Sequence, residues 1–184
     1  MRSIVSRVAV LGLVVLLGSS TVSYATVVVY AVPSATTVNV GDSVDVQLLA
    51  DLGEPVVAWG LGLSFDRAIL SETAAATGGP AWETVFETGN DALMGLAFPD
   101  SISGNSVLLA TFHFEAVSTG QAWLTPTITP GDLTQGFALD PAGFAIVQFA
   151  PAVMINVVPE PMMSLGLLAI GSLVILRRRG LRPF

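Results

Sequence analysis

The chain has 184 residues, 52% of them hydrophobic, with 14 acids, seven arginines, one histidine, no lysine and no cysteine. The lack of cysteine excludes disulfides, thiolate nucleophiles and cysteine-ligated zinc together, so a folded domain must hold by packing alone. Every acid lies between Asp42 and Glu160, six arginines lie near the two ends, and Arg67 is the only base between them; such a body repels nucleic acid, stays soluble, and favours cations or a basic partner.

Arg2 and Arg7 form a basic start, Val8 to Leu17 an apolar run, and Ser23-Tyr24-Ala25 a small-x-small site. Together they predict a secretory signal peptide over residues 1–25, with the mature protein beginning near Thr26. There is no twin arginine, and no cysteine stands beside the cleavage site, so Sec-type export without an N-terminal lipid is expected. The stretch from Thr26 to Val157 holds about 130 residues, the size of one domain.

The dominant period of that domain is two, interrupted every eight to twelve residues by Gly, Pro, Asn or Asp, which predicts an all-β, antiparallel sandwich. Val27 to Val32 is a first strand; Val44, Val46, Leu48 and Ala50 alternate with polar residues in a second. In Val57 to Phe65, Trp59, Leu61, Leu63 and Phe65 share one side, while Ala58, Gly60, Gly62 and Ser64 leave the other nearly bare. A bare strand side marks a crowded neighbour or bulge, or else a flat surface for a partner. Asp66 to Thr73 is expected to turn, and Pro80 to Thr88 to form one short helix with Trp82, Val85 and Phe86 on one side. Leu93 to Phe98 is a strand, Pro99 to Asn105 a turn, and Val107 to Ala116 a strand with Leu108, Ala110, Phe112 and Phe114 facing inward. Gly120 turns the chain into Trp123 to Thr129, Pro130 to Gly143 is a loop, and Phe144 to Phe149 and Val153 to Val157 are final strands. The expected core is Val46, Leu48, Trp59, Leu61, Leu63, Phe65, Leu108, Phe112 and Phe114.

The tail departs from this pattern. Val158, Pro159, Glu160 and Pro161 are followed by an uncharged apolar stretch, Met162 to Leu176, then by Arg177, Arg178 and Arg179, with Arg182 near the end. The prolines forbid a helix or central strand and leave an extended chain open to a protease. Fifteen apolar residues rise only about 22 Å as a helix, short of a hydrocarbon core of about 30 Å, and the arginines belong on the cytoplasmic side. The order and spacing of residues 158–184 resemble the PEP-CTERM sorting signal of Gram-negative bacteria. That resemblance implies recognition by an exosortase-type enzyme, a transient stay in the inner membrane, removal of the tail near the motif, and a link to extracellular polysaccharide.

The domain in turn resembles a cohesin-type module, a β-sandwich related to some carbohydrate-binding modules, in a jelly-roll arrangement. The resemblance rests on Val38-Asn39-Val40-Gly41-Asp42 before the alternating strand, on Gly60-Leu61-Gly62-Leu63-Ser64-Phe65-Asp66 with Ile69-Leu70 following, and on Leu108 to Phe114 followed by Gly120. It implies architecture and not particular partner contacts.

Chemistry is sparse. His113 is the only imidazole, so a Ser-His-Asp device would need it, yet its alternation places it on the solvent side and no G-x-S-x-G turn precedes it. Glu83 and Glu87 share a face only if Pro80 to Thr88 is helical, and glycoside hydrolysis needs its carboxylates across a cleft. Asp100, Ser103 and Asn105 in one turn, with Asp132 and Asp140 around another loop, offer oxygens to calcium but lack the D-x-D-x-D-G order. Of the three tryptophans, Trp59 and Trp82 belong with the core, Trp82 against Phe86, and Trp123 is left as a candidate sugar platform. No catalytic residue, cofactor or metal ligand is assigned; calcium is the one ion these oxygens would suit. The sequence reads as a non-enzymatic exported protein that binds, or builds, at the cell surface or in the extracellular matrix. A carbohydrate-binding module is the first alternative and a secreted hydrolase the second.

Overall fold

The molecule is organised around one strand of 22 residues, Ser43–Ser64, in the computed structural model, which describes residues 25–89, 92–141 and 143–160. In chain order the strands are β1 (Thr26–Pro33), β2 (Thr37–Asn39), β3 (Ser43–Ser64), β4 (Leu70–Gly78), β5 (Thr84–Gly89), β6 (Ala92–Leu96), β7 (Ile102–Ala116), β8 (Gly120–Thr127), β9 (Gly136–Leu139), β10 (Ile146–Phe149) and β11 (Val153–Val158). Among the described residues there is no helix. Alternation drives β3: Val44, Val46, Leu48, Ala50 and Leu52 are buried while Ser43, Asp45 and Gln47 are exposed, and each fully buried Val or Leu gains about 1.5–3 kcal/mol over exposure.

β3 serves two parts of a curled sheet. Its first half pairs with β1 on one edge and β7 on the other; its second half pairs with β6 on one edge and with β9 and then β8 on the other. The path β10-β1-β3-β8-β11-β2 runs through it, with β4 beyond β7 and β5 beyond β6. The register against β7 slips between Ala50 and Leu52 and again between Leu52 and Val56. Such irregularities increase twist and let one strand bend around a core. That core joins Val46 and Leu48 from the first half to Trp59, Leu61 and Leu63 from the second.

Several expectations are corrected. The sheet is not wholly antiparallel, because β1 pairs with β10 and β2 with β11 in parallel; long connections, unlike hairpins, permit this. Pro80 to Thr88 is not a helix: the chain passes Trp82 and enters β5, an edge strand on β6. The expected turn from Asp66 closes by Leu70, where β4 begins, and the loop from Pro130 contains β9. The turn after Pro99 is shorter than expected, since β7 starts at Ile102.

The strict alternation of β7 also fails at one place. Leu48 opposes Ala110 but Leu49 opposes Leu108, so Leu109 is the extra residue of a bulge. Leu109 and Ala110 are therefore both buried, and Leu108 is only half-buried. Two contacts hold the bulge: the Gly79 amide donates to Leu109 O at 2.9 Å, and Trp82 Nε1 donates to Leu108 O at 2.9 Å. A Cβ on Gly79 would lie 1.9 Å from Leu108 O, so only glycine fits there. Phe112 and Phe114 are buried as expected, stacked at 6.3 Å. Phe65 is half-buried, edge-on to Phe114 at 4.8 Å, with the Arg67 guanidinium 4.8 Å from its ring centre.

Candidate functional site

At Gly60 the bare side of β3 is covered by the protein's own chain. A Cβ on Gly60 would lie 1.9 Å from Thr134 O, because the segment between β8 and β9 crosses directly over it. That segment is braced internally. Asp132 Oδ1 accepts from the Thr134 amide at 2.9 Å and the Thr134 hydroxyl at 2.6 Å, while Gln135 Nε2 donates to Asp132 Oδ2 at 3.1 Å. The Thr129 amide donates to Gln135 Oε1. Donors on its carboxylate, Thr134 first, hold Asp132 below the usual carboxylate range. Gly60 is thus the mark of a crowded neighbour, not of an open partner surface.

The same segment raises Leu133 into solvent, where it is 92% exposed, and Phe144 stands 70% exposed nearby. With Ile128, Phe137, Ala145 and Val147 they wall a hollow of about 380 Å³, and Asp132 lies in its lining. A second hollow over Ala58, Met94 and Ala138 shares Leu133 and Phe144. Leu133 and Phe144 carry no functional expectation from the sequence, whereas Asp132 of the same lining stands among the calcium candidates. The available signal was a leucine set among Thr, Pro, Gly, Asp and Gln, where a turn ordinarily carries polar side chains.

His113 lies on the outer face of β7, as the alternation requires, between Asp45 of β3 and Thr77 of β4. Its Nδ1 is 2.8 Å from Asp45 Oδ1, and its Nε2 is 3.4 Å from Thr77 Oγ1. On paper this is acid, imidazole and hydroxyl in a row. The side chains of His113 and Asp45 are 28% and 58% exposed, so the row lies open on a sheet face, and the hydroxyl contact is at the limit of hydrogen bonding. It ties three strands together on the solvent side.

The other candidates disperse. β5 is extended, so Glu83 and Glu87 are not successive-turn neighbours on a helix, and the Glu87 side chain lies outside the described residues. Asp100 precedes β7 while Ser103 and Asn105 lie within it, so the three do not curl round one point. Asp132 spends both oxygens on its own loop. Among the described residues no three His, Cys, Asp or Glu side chains gather as a metal group. Trp59 and Trp82 are buried edge to face at 6.0 Å; the expected partner of Trp82, the Phe86 side chain, lies outside the described residues. Trp123 is 53% exposed on β8, and the ring pairs found among the described residues do not include it. Of the sorting motif, Val158 ends β11, its carbonyl accepting from the Val40 amide at 3.0 Å, and Pro159 and Glu160 follow exposed. Pro161, the apolar stretch and Arg177, Arg178 and Arg179 lie outside the described residues, as does the predicted signal peptide up to Tyr24. No helix among the described residues is long and apolar enough to cross a membrane.

The curled all-β architecture of this chain is shared with cohesin modules of known structure. No protein-family model and no curated protein matches the chain in sequence. Solved structures match in fold. The cohesin module of a family 33 glycoside hydrolase from Clostridium perfringens aligns with 10% identity and a TM-score of 0.58, over 75% of this chain and 100% of that one. A non-cellulosomal cohesin from the archaeon Archaeoglobus fulgidus aligns with 16% identity and a TM-score of 0.57, over 76% and 96%. A type I cohesin from Clostridium thermocellum, solved in complex with a dockerin, aligns with 11% identity and a TM-score of 0.54, over 71% and 99%.

Proposed function

We propose that this protein is an exported, non-enzymatic binding or structural component of the bacterial cell surface or extracellular matrix. It is delivered by its signal peptide and by a Pro-Glu-Pro tail that an exosortase-type enzyme recognises and removes. The observation that carries the reading is where the described strands end. β11 completes its pairing at Val158, and Pro159 and Glu160 follow at once, exposed, so a cut beyond them leaves every strand of the described residues in place. Several matching structures are cohesins held by dockerins, which supports a protein as the partner, engaged by surface contacts and not by chemistry. A polysaccharide partner is the alternative, with Trp123 as its platform.

The test is retention. The exported protein, applied to the cell's own surface material, is expected to be held and to be displaced by an excess of the same domain. Divalent ions such as calcium would bridge its acids to an anionic matrix, so a chelator is expected to release part of it. Free passage of the protein through that material would refute the binding reading. Release by soluble polysaccharide alone would replace the protein partner with a glycan.

A further inference from the structure

The outer face of β8, β11 and β2 is a stripe of uncharged side chains set round an exposed indole. Alternation buries Ala122, Leu124, Ile155, Val157 and Val38. Gln121, Trp123 and Thr125 of β8, Met154 and Asn156 of β11 and Thr37 of β2 therefore stand on the opposite side. Register sets them in rows: Gln121, Asn156 and Thr37 lie abreast, and the next row places Met154 directly opposite Trp123. Strand spacing makes the patch roughly 10 Å across and roughly 13 Å long. Gln121, Trp123 and Thr37 are exposed, and Met154, Asn156 and Thr125 are half-buried. The hollow at Leu133 and Phe144 is elsewhere, since none of its lining residues belongs to this stripe.

Chemistry selects the occupant. An indole is flat and apolar, with a weakly negative face that attracts the weakly positive C–H groups of a sugar ring laid upon it. Around it the amides of Gln121 and Asn156 and the hydroxyls of Thr37 and Thr125 offer both donors and acceptors. None of those four side chains is hydrogen-bonded to another of the described residues. A protein hot spot would ring the indole with close contacts that exclude water, whereas most of its neighbours here call for hydrogen bonds. Charge narrows the class further. The outer face of β3 and β7 carries Asp45, His113 and Glu115, but the stripe carries no charge. Asp42 borders it beyond Asn39, from which it accepts two bonds at 2.8 Å, and the domain's single base, Arg67, lies over Phe65. A uronate, sulfate or phosphate would find no cation in the stripe, and the acids of the domain would repel it. We infer that this face is a binding site for neutral polysaccharide, whose rings stack on Trp123 and whose hydroxyls bond Gln121, Asn156 and Thr37. This deepens the binding reading proposed above and rests on it; a protein partner would engage another face.

The test uses the full chain in neutral detergent, run in native gels cast with hydroxyethyl cellulose, galactomannan, dextran or alginate. At least one of the three neutral polymers is expected to retard it, and alginate, a polyuronate, is not. The retardation should persist in added sodium chloride, because no ion pair carries it. Trp59 and Trp82 are buried, so a change in tryptophan fluorescence on adding the neutral polymer reports Trp123. That change should vanish in Trp123→Phe, while the gel retardation, which needs only a flat ring, survives in part. Trp123→Ala should weaken binding by about ten-fold or more, and Gln121→Ala, at an exposed position that does not affect folding, should weaken it several-fold. No retardation by any neutral polymer, retardation by alginate alone, or wild-type binding in both Trp123→Ala and Gln121→Ala would each overturn the inference. The two failures separate cleanly, because retention by the cell's own surface material is measured alongside. A wild-type protein retained there but indifferent to every neutral polymer loses this site and keeps the binding reading, whereas one that is never retained removes that reading itself.

Discussion

Gly60→Ala tests whether the crossing segment is an integral part of the sandwich. The added methyl would lie 1.9 Å from Thr134 O and 2.9 Å from Thr134 C, where contacting heavy atoms normally stand about 3.5 Å apart, so something must withdraw by roughly 1.5 Å. β3 cannot, because it is paired on both edges at that point, Gly60 opposing Met94 and Gly136. The segment moves instead, and it moves as a unit, since Asp132, Thr134 and Gln135 are bonded to each other and not to β3. Overpacking of this kind costs about 1–3 kcal/mol, a large part of a stability of about 5–15 kcal/mol. With a urea slope of about 1–3 kcal/mol per molar, the midpoint should fall by about 1 M. Ser64→Ala, on the same side of β3 but exposed, should leave the midpoint in place. A Gly60→Ala midpoint equal to wild type would mean that the segment does not lie on β3.

Other perturbations read other layers. Phe112→Ala, removing a ring 4% exposed and stacked on Phe114, should cost about 3–5 kcal/mol by chemical denaturation, and a wild-type midpoint would mean the β7 register is wrong. His113→Ala breaks an exposed pair with Asp45, so stability should fall by no more than about 1 kcal/mol and partner retention should persist; a hydrolytic activity abolished by this change would make the protein an enzyme. Asp42, held low by the Asn39 amide and then by its side chain, and Asp132, held low by Thr134, have folded values below their unfolded ones. Their stabilisation is present above the ordinary carboxylate value and disappears as pH falls through the lowered one. Thermal midpoints should thus decline below about pH 4, less steeply in Asp132→Asn, and an unchanged slope would show that the loop bonds do not persist in solution.

Period two was enough to read β1, the two halves of β3 as separate strands though not their continuity, and the inward residues Val46, Leu48, Trp59, Leu61 and Leu63, because each faces one core from regular extended chain. It failed where a single residue breaks register. Leu109 is inserted by a bulge whose stabilising contacts come from Gly79 and Trp82, some thirty residues earlier, and no local pattern announces them. The predicted helix failed for a related reason. Trp82, Val85 and Phe86 fit a helical face equally well, but pairing with β6 decides the conformation. The crowding over Gly60 was legible as a glycine in a strand, though what crowds it was not. The exposed hollow at Leu133 and Phe144 showed in the sequence only as a leucine out of place in a polar turn, since the hollow itself exists only where the segment after β8 meets the approach to β10.

Export and sorting are tested most directly by the mass of the protein outside the cell. Intact-mass measurement of that material should give a chain beginning near Thr26 and ending near Glu160, and replacing Pro159, Glu160 and Pro161 by alanine should hold the uncut chain in the inner membrane. An extracellular species that still carries Arg177, Arg178 and Arg179 would contradict the sorting reading.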